Sequence, residues 1–93
     1  MRGYVTDTTT ISDRGLAVFA FAIYHQLESG NRVTQVVMDD GAGHYADGEG
    51  ANELRRLGMV AVESGRVRFT ETGGAMIERL IEGLRTATSR NVA

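Results

Sequence analysis

The sequence predicts an α+β fold, mostly helical, in which helices flank a single two-stranded hairpin. Three observations carry this. Val60 and Val62 alternate with Ala61 and Glu63, and Val67 and Phe69 alternate with Arg66 and Arg68, on either side of Ser64-Gly65. Period-2 alternation on both arms of a two-residue turn is a hairpin signature. Leu16, Phe19, Ala20, Ile23 and Leu27 recur at helical spacing behind the capping pair Ser12-Asp13. Met76, Ile77, Leu80, Ile81 and Leu84 form a second helical stripe behind Thr70 and Thr72.

Size and composition narrow the class further. Ninety-three residues make one domain, spanning 1–93, with loose polar termini expected over 1–11 and 86–93. The chain has no cysteine, which excludes disulfides and thiolate metal sites. Its longest apolar run, Leu16 to Tyr24, is about half the length of a membrane span. The opening MRGYVTDTTTISD lacks the apolar centre of a signal peptide. A cytoplasmic protein without a membrane partner is expected. The net charge of −2 means that any nucleic-acid surface must be confined to one face.

Taken in order, the first helix starts at Ser12 or Asp13 and stops at Ser29-Gly30-Asn31, where Gly30 suits a left-handed C-terminal position. Its apolar residues cover most of the circumference, so part of it is central to the core or shared with a second subunit. His25 is a lone histidine near the negative end of the helix dipole, the ordinary setting for a surface residue. Arg32 and Val33 could form a short strand that pairs with the hairpin, with Thr34 then capping a brief helix that ends at Asp39-Asp40-Gly41. A strand over Arg32 to Met38 is the rival, because Val-Thr-Gln-Val-Val has strand propensity.

The next segment, Gly41 to Gly50, reads GAGHYADGEG. Gly41-Ala42-Gly43-His44-Tyr45-Ala46 formally fits a dinucleotide pattern, but the chain is too short for the doubly wound sheet that pattern serves. Asp39, Asp40, His44, Asp47 and Glu49 do not follow the spacing of a calcium loop and read as a solvated acidic turn. No metal and no cofactor is expected. Asp47 can cap a helix whose Ala51, Leu54 and Leu57 face the core, although Gly48 and Gly50 each cost about 1 kcal/mol of helix propensity relative to Ala. In the last helix, Glu78, Arg79, Glu82 and Arg85 occupy the polar face.

Leu54, Leu57, Gly58, Met59 and Val60, followed by Phe69, Thr70 and Gly73, give a Leu-rich helix end, a Gly, a hairpin and a Thr-capped helix. This order resembles the winged helix-turn-helix family, most closely the small MarR-like and PadR-like regulators, over residues 54–73. The resemblance implies three N-terminal helices, with Thr34–Met38 as the second, then a two-stranded wing and a C-terminal helix. It also implies a dimeric DNA-binding transcription regulator.

On that pattern the Asp47–Leu57 helix would read duplex DNA through Asn52, Arg55 and Arg56. Asn52 suits adenine, and the arginines suit guanine or phosphate. Arg66 and Arg68 of the wing would meet phosphate or the minor groove. Ile77, Leu80, Ile81 and Leu84 would supply the homodimer seam.

One feature opposes DNA. Three arginines face five acids between Asn31 and Gly58, and Glu49 and Glu53 would confront phosphates. The alternative is therefore a winged-helix protein–protein interaction module, such as a phage- or plasmid-type protein that binds a host protein. Enzymatic activity is not expected, because neither histidine lies in a motif with a nucleophile or base.

Overall fold

The computed structural model describes residues 10–37 and 48–89. The elements run α1 (Asp13–Ser29), β1 (Gln35–Val37), α2 (Gly48–Arg56), β2 (Val60–Glu63), β3 (Arg66–Phe69) and α3 (Glu71–Thr88). The three strands form one antiparallel sheet in the order β1-β3-β2.

The helix ends follow the local chemistry. Ser12 caps α1, its hydroxyl accepting from the Gly15 N–H at 3.3 Å. Gly30 closes the helix at φ 76° and donates to the Gln26 carbonyl. Beyond α2, Gly58 (φ 77°) donates to the Arg55 carbonyl and Met59 to the Leu54 carbonyl. This paired arrangement satisfies two of the carbonyls a helix end leaves open. The chain then turns straight into β2. Ser64 and Gly65 both take positive φ, 49° and 77°, as a type I′ hairpin turn requires. Thr70 opens α3, its hydroxyl accepting from the Gly73 N–H and donating to the Gly58 carbonyl at 2.7 Å. One side chain thus ties the end of α2 to the start of α3.

The expected helix over Thr34–Met38 is not what forms. Its described part, Gln35–Val37, is a strand that adds to the free edge of β3, so the sheet has three strands rather than two. Among the described residues only two helices precede the hairpin. The reason is physical: a strand puts the β-branched Val36 against the core with 5% exposure and leaves Gln35 outside. Thr34 caps nothing; its carbonyl accepts the Phe69 N–H at 2.9 Å as part of the ladder. Asp47, the Gly41–Ala46 pattern and most of the acidic turn lie outside the described residues. At the far end α3 runs on to Thr88, whose hydroxyl donates to the Leu84 carbonyl.

The core gathers Val18, Phe19, Ala22 and Ile23 of α1, Ala51 and Leu54 of α2, the inward strand residues, and Ile77 and Ile81 of α3. Phe19 and Phe69 stack at 5.9 Å between ring centroids. No helix among the described residues is long and apolar enough to cross a membrane.

Two glycines set how closely the layers approach. A Cβ on Gly50 would collide with the Arg14 carbonyl of α1, and one on Gly73 with the Met59 carbonyl. Gly50 therefore sits in α2 because backbone must meet backbone there, which outweighs its propensity cost. Gly74, one residue on from Gly73, has nothing within 4 Å of such an atom. Gly50→Ala is expected to destabilise the protein by about 1–3 kcal/mol through overpacking. Gly74→Ala is expected to stabilise it by about 0.4–1 kcal/mol. Urea unfolding of both variants checks the pair, and equal signs would contradict the close approach.

Candidate nucleic-acid interface

Helix α2 lies against α1 through Gly50, Ala51 and Leu54, all buried. This seating fixes where its acids go. Glu49 accepts from Arg14 Nη1 at 2.7 Å. Glu53 accepts from the Ser12 backbone N–H at 2.9 Å and from the Ser12 hydroxyl. Ser12 therefore caps α1 with its oxygen lone pair while its proton binds α2.

The two Ser12 hydrogen bonds, side chain first, hold the Glu53 carboxyl below the ordinary carboxylate value. Desolvation opposes them, and the Arg56 charge adds a smaller lowering. Both acids expected to confront DNA thus have partners on α1. Arg14 and Ser12, which hold them, carry no motif and were not among the candidate residues.

Asn52, Arg55 and Arg56 are exposed on α2. Asn52 and Arg56 share with Ser12, Arg14, Glu49 and Glu53 a small polar depression. Arg56 stands near Glu53, whereas Arg55 has no ion pair among the described residues.

In the sheet, register decides which residues share a face. Glu63 pairs with Arg66 and Ala61 with Arg68 across β2–β3, while Val37 and Gln35 oppose the same arginines from β1. The outer face of the sheet therefore carries Arg66 and Arg68 side by side, with Val67 and Phe69 turned into the core. Arg68 reaches diagonally to Glu63, both Nε and Nη2 lying 3.2 Å from Oε1. The pair is about half exposed, so it contributes no more than about 1 kcal/mol. Arg66 has no such partner among the described residues.

The four residues expected at a dimer seam divide into two groups. Ile77 and Ile81 are 1% and 3% exposed and fill the core of the single chain. Leu80 is half-buried and Leu84 is 49% exposed. Helix α1 adds exposed Leu16, Tyr24 and Leu27, which the nearly continuous apolar circumference of that helix foreshadowed. His25 packs edge-on against Phe21 and Tyr24, at 4.6 and 5.4 Å, an ordinary aromatic contact on α1. Comparison with protein-family models, curated proteins and solved structures finds no match.

The Ser12–Glu53 bonds make a pH prediction. A carboxylate whose folded pKa is depressed adds stability that is present above its unfolded pKa and lost as pH falls through the folded value. Urea midpoints measured from pH about 6 down to about 3 should fall more steeply for the parent chain than for Glu53→Gln. Parallel curves would mean that this carboxylate is not held by Ser12.

Proposed function

We propose that the protein is a small winged-helix DNA-binding regulator that works as a homodimer. The observation that carries this reading is the disposition of charge around α2. Glu49 is offset by Arg14 and Glu53 is anchored on Ser12, both beside α1, while Arg55 and Arg56 remain exposed at its C-terminal end. A second pair of exposed arginines stands on the outer face of the wing. A recognition helix and a wing that both present arginine suit a duplex, with phosphate contacts supplying most of the affinity.

The site also ranks its own residues. Arg68 is shared with Glu63, and Arg56 has Glu53 nearby. Among the described residues Arg55 and Arg66 therefore present the least compensated charge to DNA.

Fluorescence anisotropy with random-sequence duplex at low and near-physiological salt tests the reading. Binding should weaken steeply with salt, because released counterions set the slope. Arg66→Ala should lower the slope by about one phosphate contact, and Arg68→Ala by less, since that charge is already shared. Absence of low-salt binding would remove the DNA reading and leave the protein-interaction module in its place.

The homodimer has its own test. Leu84 is the exposed end of the α3 stripe, so Leu84→Glu should convert a sedimenting dimer to a monomer without unfolding it. A variant that remains dimeric would move the seam to Leu16, Tyr24 and Leu27 of α1.

A further inference from the structure

Between α1 and α3 the surface opens into a groove of about 510 Å³, within the range of about 300–1,000 Å³ typical of small-molecule sites. Leu16, Phe19, Ala20 and Ile23 line one wall and Leu80 and Leu84 the other. Gly83, with no side chain, widens the α3 side.

Among the described residues a single charged side chain lines this apolar trough: Arg79. The acids nearest to it in sequence are taken. Glu78 accepts from Gln26 Nε2 at 3.0 Å, and Glu82 accepts from Arg85 Nη1 at 3.3 Å. Among the described residues the Arg79 side chain has neither an ion pair nor a hydrogen bond.

We propose that this groove binds a linear alkyl carboxylate, with its chain along the α1 wall and its head group on Arg79. Charge decides the head group. A guanidinium at the edge of an apolar wall gains charge-assisted, bidentate hydrogen bonds from a carboxylate. A cation would be repelled, and a neutral chain would leave the guanidinium to solvent. Shape decides the body. Leu16 and Tyr24, at the two ends of the α1 wall, are separated by about 12 Å along the helix axis, which suits an extended chain better than a compact ring. The proposal does not depend on DNA binding and is tested without DNA.

Decanoate, decanol and decylammonium are titrated into the full chain, with amide NMR shifts of Leu16, Gly83 and Leu84 reporting the site. A second copy seated on Leu84, or on Leu16 and Tyr24, would cover this same groove, so the ligand site is that of the monomer and sedimentation is recorded alongside. Decanoate should bind about tenfold more tightly than decanol, and decylammonium more weakly than either. Arg79→Gln should bring decanoate to the level of decanol while leaving decanol unchanged. A Cβ added at helical Gly83 meets nothing within 4 Å, so Gly83→Phe should fold with its ring filling the groove, and all three ligands should lose binding.

Decanoate binding no better than decanol would overturn the proposal. So would an Arg79→Gln variant with unchanged decanoate affinity, or shifts that map away from the groove. Absence of binding by a chain that sediments as a dimer would overturn it too and assign the groove to a second copy.

Discussion

The rest of the structure depends on the contact between α1 and α2, where Gly50 allows helix backbone to meet helix backbone at the Arg14 carbonyl. A side chain at that position would separate the helices, and the consequences would spread. Ala51 and Leu54 would lose their places against Val18 and Phe19. Glu49 and Glu53 would be withdrawn from Arg14 and Ser12. Because Leu54 also accepts the Met59 N–H, the direction in which the chain enters β2 follows from how α2 is seated. The hairpin is thus oriented from the helix pair outward.

Electrostatics depends on the same contact. Taken as a string, residues 48–56 hold two acids and two arginines in a neutral segment of no evident polarity. Seated on α1, the segment places its acids beside a cap and a guanidinium and leaves Arg55 and Arg56 outward. Individually these exposed pairings contribute little to stability. In the field the surface presents, the Arg14 guanidinium offsets the Glu49 charge, whereas neutral Ser12 keeps Glu53 ionised and only fixes where that charge sits.

How much of this was legible in the sequence depended on the range of the interactions concerned. The hairpin, its turn and the cap at Gly30 were readable, and the caps at Ser12 and Thr70 to within a choice of two residues each, because these features are settled by residues a few positions apart. The stripe on α3 was readable for the same reason, although only the fold separates Ile77 and Ile81 in the core from Leu84 outside. The strand at Gln35–Val37 was misassigned under the winged pattern. Three residues are too few to show a period, and the partner that makes them a strand is β3, about thirty positions away. The bonds that occupy Glu49 and Glu53 span 35 and 41 positions, so no local reading of α2 shows that its acids have partners. Gly50 carries only a propensity signature, which pointed toward a poor helix rather than a close-packed one.

The sheet order has a kinetic meaning as well. β2 and β3 meet through a two-residue turn, whereas β1 reaches β3 only after the chain from residue 38 to residue 65 has closed into a loop. The entropy of closing a loop must be met before its contacts return anything, so distant pairings form late. The hairpin is therefore the natural nucleus, and the three-residue β1 joins an edge that already exists. By the same logic β1 is the strand with least to hold it when the protein breathes. Its departure would bare the β3 edge and the buried side of Val67 while α2 stays seated on α1. The molecule thus contains a cooperative unit of α1, α2 and the hairpin, with one short strand laid against it.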